Sequence, residues 1–127
     1  MVRLLNWLGL GLVLVLLSGC TSNKISNMTP KVLHRTPDGL YNFEVRWDTN
    51  QRAFLDDSMK PFVVVDREFH PMQRVALTTN RWEAVVPVPA DKRFLNYRFK
   101  FDYLVNGFGQ KHPDSRMSPT YQVEIVE

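Results

Sequence analysis

The chain has 127 residues, 16 Lys and Arg against 13 Asp and Glu, and a single cysteine. That length holds one domain of ordinary size and leaves no room for a second once a leader is set aside. Without Arg3 the formal charge is 15 − 13 = +2, too small for the basic footprint of nucleic-acid binding, so nucleic acid is excluded as a partner.

The first element is apolar. Arg3 and the amino terminus supply positive charge, Trp7 to Leu17 are all apolar or glycine, and small Ser18 and Gly19 follow. This is the layout of a secretory signal peptide. A helix rises about 1.5 Å per residue and a bilayer core needs roughly 20 apolar residues, so the run is too short to span comfortably.

Leu17-Ser18-Gly19-Cys20 resembles the lipobox of bacterial lipoproteins: an aliphatic residue, two small residues, then cysteine. The resemblance implies cleavage between Gly19 and Cys20, a diacylglycerated Cys20 thiol and an acylated (palmitate-type) new amino terminus. A lone exported cysteine has no intramolecular disulfide partner, and as a free thiol in an oxidising compartment it would be a liability. Two or more acyl chains anchor stably where one does not. Cys20 is therefore expected to be an anchor in membrane lipid. In the same class an aspartate after the cysteine marks retention at the inner membrane. Here Thr21 follows, which directs the expectation to the outer membrane of the bacterial cell envelope.

The expected domain plan is a signal peptide over 1–19, a lipidated flexible tether over 20–30 and one folded domain over 31–127. "TSNKISNMTP" is polar and small with no strand or helix period, and about ten such residues reach roughly 17 Å.

From residue 31 onward the pattern has period two. In "LYNFEVRWD", Tyr41, Phe43, Val45 and Trp47 share one face, against Asn42, Glu44 and Arg46. "FLNYRFKFDYLV" repeats this with Leu95, Tyr97, Phe99, Phe101 and Tyr103. "PFVVVD", at 61–66, is apolar on both faces, as in a central or doubly covered strand. "KVLHR", "MQRVALTT", "RWEAVVPV" and "TYQVEIV" bring the count to seven short strands, punctuated by "HP", "TTNR", "PADK" and "NGFG". "NQRAFLDDSMK" could form one helical turn. Seven short strands with regular turn signals predict an all-β, antiparallel β-sandwich of immunoglobulin-like type. Tyr41, Phe43, Trp47, Trp82, Tyr97, Phe99, Phe101 and Tyr121 are its expected aromatic core.

"RWEAVVPVPADKRFLNYRFKFDYLVNG", followed by "HPDS", is similar to the early-set immunoglobulin-like domains, in particular the glycogen-binding type of carbohydrate module. The resemblance covers about residues 61–126 and implies the same fold. In sugar-binding members an aromatic just beyond the hairpin forms a stacking platform. The residue here is Phe108, where the family usually has Trp, and a hairpin aromatic can instead fold back over the core.

Catalytic signatures are absent. His34, His70 and His112 are far apart, and neither His-Glu-x-x-His nor Gly-x-Ser-x-Gly occurs. Asp56, Asp57, Asp66, Asp102 and Asp114 show no calcium-loop spacing, so no metal, cofactor or catalytic residue is expected. The mixed charges of Glu44, Arg46, Arg98, Lys100 and Asp102 read as a solvated sheet face with cross-strand pairs. The functional expectation is a membrane-anchored, non-enzymatic interaction or assembly module of the envelope with a protein partner. The alternative is a carbohydrate-binding module acting on glycan or peptidoglycan.

Overall fold

The computed structural model describes residues 23–49 and 58–127. The leader, the lipobox, Cys20 and most of the expected helical turn lie outside the described residues. Strict alternation of large apolar and polar side chains drives the rest into strands: β1 (Asn23–Asn27), β2 (Val32–His34), β3 (Leu40–Thr49), β4 (Lys60–Val65), β5 (Glu68–Pro71), β6 (Gln73–Arg74), β7 (Arg81–Pro87), β8 (Phe94–Gly107), β9 (Gln110–Met117) and β10 (Tyr121–Val126). No helix occurs among the described residues.

Two sheets result. One has the order β1-β3-β7-β6 and the other β2-β10-β8-β4-β5, with β9 added to β8. In immunoglobulin notation the first sheet is A-B-E-D and the second contains G-F-C, so the expected antiparallel, immunoglobulin-like sandwich is what the chain builds. All pairings are antiparallel except β2 with β10.

The core is the expected one, with one difference. Phe43, Val45, Trp47, Phe99 and Phe101 are wholly buried, and Tyr41, Trp82, Tyr97 and Tyr103 nearly so, whereas Tyr121 is only half-buried and packs on the core margin. The Trp47 ring lies 4.8 Å from Phe101 and 5.7 Å from Tyr103. Such tilted aromatic contacts add about 0.5–1.5 kcal/mol each beyond area burial. β4 lies between β8 and β5, which explains its two apolar faces. Val63 and Val65 enter the core, while Val64 is buried on the other face beneath Phe69 and Arg98, its neighbours in register.

Three expectations are corrected. Residues 23–27, placed in a tether, are strand β1, paired with β3 from Asn23↔Thr49 to Asn27↔Val45. Ile25 packs against the core margin, so one apolar contact and a backbone ladder order a segment whose composition is polar. The strand expected over 72–79 shrinks to Gln73–Arg74, because the Thr78 hydroxyl donates to the Val75 carbonyl at 2.8 Å and closes a turn instead. Finally, the seven expected strands omit "QKHPDSRM", which is strand β9, every residue of it exposed.

β9 and β10 run along the same edge of β8 with a break between them. From Lys100↔Met117 to Tyr97↔Tyr121, three steps on β8 face four on the partner, so one extra residue is inserted as a bulge. Ser118 fills the gap: its N–H donates to the Phe99 carbonyl at 2.9 Å, and its hydroxyl oxygen accepts the Phe99 N–H at 2.8 Å. Thr29 does the same at the end of β1. Its hydroxyl accepts from the Glu44 N–H at 3.0 Å and donates to the Glu44 carbonyl at 3.2 Å.

Candidate functional site

Strand directions place the connections at two ends. The start of β1, the end of β3, the start of β4, the β6–β7 turn and the β8–β9 hairpin share one end. The turns at 35–39 and 66–67 and the loop at 88–93 share the other.

At the first end the β8–β9 hairpin continues beyond the sandwich to the pair Gly107↔Gln110. The turn between them is Phe108 at φ 50° and Gly109 at φ 77°, a type I′ geometry that favours Asn-Gly or Asp-Gly because both central residues need positive φ. Gly109 meets that need without a Cβ. Phe108 does so at a steric cost of about 1–2 kcal/mol, and its ring is fully exposed. It stands in the turn itself, two residues later than the Asn106-Gly107 signal suggests, and it does not fold back over the core. The β10 pairing explains the shift. With Val123 and Ile125 committed to the core and only one bulge residue available, the turn must fall at 108–109.

Below the tip, the hairpin base is more polar. Tyr103, Asp114 and Ser115 border two open grooves of about 620 and 500 Å³, the second also bordered by Asn23, Ile25 and Arg116. The Tyr103 hydroxyl donates to Asp114 Oδ2 at 3.5 Å. Burial pushes this phenol above its ordinary value, and its hydrogen bond with Arg116 works in the opposite sense.

The polar sheet face behaves as expected for solvated cross-strand pairing. Glu44 lies opposite Glu83 and Arg46 opposite Arg81, two repulsive pairings offset by one diagonal cross-strand contact, Arg81 to Glu44 at 2.6 Å, and one contact along β3, Arg46 to Asp48 at 3.0 Å. Lys100 similarly contacts Asp102 at 3.4 Å. Exposed pairs of this kind are worth about 0.2–1 kcal/mol each.

The outer face of the second sheet is different. Phe62 and Phe69 meet edge to face at 6.1 Å, Lys100 Nζ sits 5.5 Å from the Phe69 ring, and Pro71, Phe62, Lys100 and Met117 form one cross-strand row. Phe69 and Met117 remain about half exposed. Sequence reading overlooked this patch because Phe69 and Met117 sit in segments with no strand period, and β5 and β9 exist only through pairing with their neighbours.

The titratable residues weighed from sequence are not brought together. His34, His70 and His112 lie on β2, β5 and β9. Asp66 is in the β4–β5 turn near Lys92, at 3.8 Å, at the opposite end from Asp102 and Asp114, and Asp56 and Asp57 lie outside the described residues. Among the described residues no group of three or more His, Cys, Asp or Glu side chains is placed to hold a metal ion. No protein-family model, curated protein or solved structure matches the chain significantly.

Proposed function

We propose that the chain is a membrane-anchored bacterial lipoprotein whose immunoglobulin-like domain works by contact, as a non-enzymatic interaction or assembly module of the cell envelope. The outer face of the six-stranded sheet carries this reading. Phe62, Phe69, Pro71 and Met117 form an apolar strip crossed by Lys100 and bordered by Arg98, the mixture of aromatic, Met and Arg side chains that protein interfaces favour. The anchor is Cys20, on the lipobox Leu17-Ser18-Gly19-Cys20, with an envelope protein as partner.

The test is a photo-crosslinking residue in place of Phe69 in the full chain, expressed in a bacterium and irradiated in intact cells. One discrete crosslinked protein, lost when Phe62 and Met117 are changed to Ser, is the expected result. A smear no different from a crosslinker at Gln122 would sink the proposal.

A second reading is favoured by one observation, the fully exposed Phe108 ring on a rigid type I′ turn. An aromatic ring held in this way suits the apolar face of a pyranose, so a carbohydrate module acting on glycan or peptidoglycan would use it. Retardation in gels containing α-glucan, or co-sedimentation with murein, abolished by Phe108→Ala, is its expected signature.

A further inference from the structure

Two connections at the hairpin end differ in charge from the turns at the other end. The turns at the end away from the hairpin carry Arg35 and Asp38, Asp66 and Arg67, and Asp91, Lys92 and Arg93. At the hairpin end the β6–β7 turn, "VALTTN" at 75–80, has no charged residue, and the distal hairpin, residues 104–113, has no acid and only Lys111 and His112 as basic groups. Each of these two connections presents a large apolar side chain at a left-handed backbone position, Leu77 at φ 65° and Phe108 at φ 50°, and both side chains are fully exposed. The other two non-glycine residues with positive φ among the described residues, Asp66 and Arg67, are charged, as suits a solvated turn.

β1, the first strand among the described residues, also begins at the hairpin end. Ile25 is paired with Trp47, the Trp47 ring lies 5.7 Å from Tyr103, and Asn23 and Tyr103 border the same groove. From the level of Tyr103 the hairpin extends four residues to Gly107, about 14 Å at the rise of a strand. From Asn23 back to Cys20 there are three residues, which span at most about 11 Å. Chain length therefore holds Cys20 within about 11 Å of Asn23, at the end of the sandwich from which the hairpin projects.

We propose that this end lies against the lipid surface in which Cys20 is anchored, with the Phe108 ring dipping into the boundary between headgroups and acyl chains, Leu77 touching it less deeply, and Lys111 meeting anionic headgroups. The inference rests on the lipoprotein reading above. Aromatic and leucine side chains beside a basic group, in two connections that carry no acid of their own, are the composition that binds such an interface. The β1 ladder makes the arrangement rigid. With Asn23 already in the β1 ladder, at most three residues separate the anchor from a strand of the sandwich, and the domain stands on its hairpin end, leaving the apolar strip on the side of the sheet open to a protein partner.

The experiment uses the full chain, processed in a bacterium, extracted and reconstituted into vesicles of phosphatidylethanolamine and phosphatidylglycerol. Acylation occupies the Cys20 thiol, so Phe108→Cys, Leu77→Cys and Asp91→Cys each supply one free thiol for an environment-sensitive fluorophore. Brominated lipids should quench the probe at 108 most, at 77 less, and each several-fold more than at 91. Quenching at 108 or 77 no greater than at 91 overturns the orientation, as does a probe at 108 shielded by added glycan yet untouched by brominated lipid. Intact mass of the same samples separates the two readings. An acylated Cys20 with unquenched probes refutes the orientation alone, whereas an unmodified Cys20 removes the anchor and the orientation with it.

Discussion

Ser118 and Thr29 show how single hydroxyls keep this sandwich closed where its ladders are interrupted. At the bulge, the Phe99 N–H points to an oxygen that a regular strand would supply from the backbone, and the Ser118 hydroxyl provides it at 2.8 Å. Ser118→Ala is expected to leave that buried donor unsatisfied and to lower unfolding free energy by about 1–3 kcal/mol, measurable by urea titration. Ser118→Thr, which keeps the hydroxyl acceptor, should recover most of that loss. Tyr97 and Tyr103 set a second residue-scale expectation. Burial pushes both phenols above their ordinary value, against a hydrogen bond from Asn27 in the first case and with Arg116 in the second. The unfolded phenols ionise near pH 10, and the folded ones hold their protons to higher pH. Stability from this source is therefore complete below about pH 10 and declines as pH rises through the raised values. Thermal midpoints followed from about pH 8 to 11.5 should fall at the alkaline end, less steeply in Tyr97→Phe.

The element that carries most of the functional argument is the β8–β9 hairpin. Its turn holds Phe108 in a conformation that Asn or Gly adopts at little cost, so Phe108→Asn should raise the unfolding midpoint by an amount equivalent to about 0.5–1.5 kcal/mol. A gain on removing the native side chain would show that the ring is retained for what it contacts outside the domain; a loss would mean that the ring stabilises the fold. Much of β8 is legible in the sequence, since Leu95 to Tyr103 alternate without a break. β9 is not. Its residues are all exposed and include Pro113, and nothing in "QKHPDSRM" alternates in hydrophobicity; it is a strand only because β8 offers a ladder. Pro113 is accommodated because, counting from the two-residue turn, its missing N–H falls on the free edge of the sheet, where proline is tolerated and also blocks further pairing.

For the whole molecule, β1 ties the anchor question to the fold. As a strand it covers one edge of β3 and brings Ile25 against the core, so deleting residues 21–27 should cost about 2–4 kcal/mol, seen as a lower denaturation midpoint; a free tether would be neutral. The sequence by itself determined the class of fold and most of its core. Period-two alternation through Tyr41–Trp47 and Leu95–Tyr103 admits only half-buried strands, and aromatic side chains that share a face must find a facing sheet. What only the tertiary structure decided is the identity of the weak elements and the position of the site: β1, β5 and β9 draw their order from neighbours, the turn at Phe108 is placed by the commitment of Val123 and Ile125 to the core some fifteen residues later, and the Phe62–Phe69 strip exists only once β4 and β5 pair. Local pattern encodes burial. Register and neighbourhood are properties of contacts far apart in the chain, and these set where the exposed apolar side chains meet.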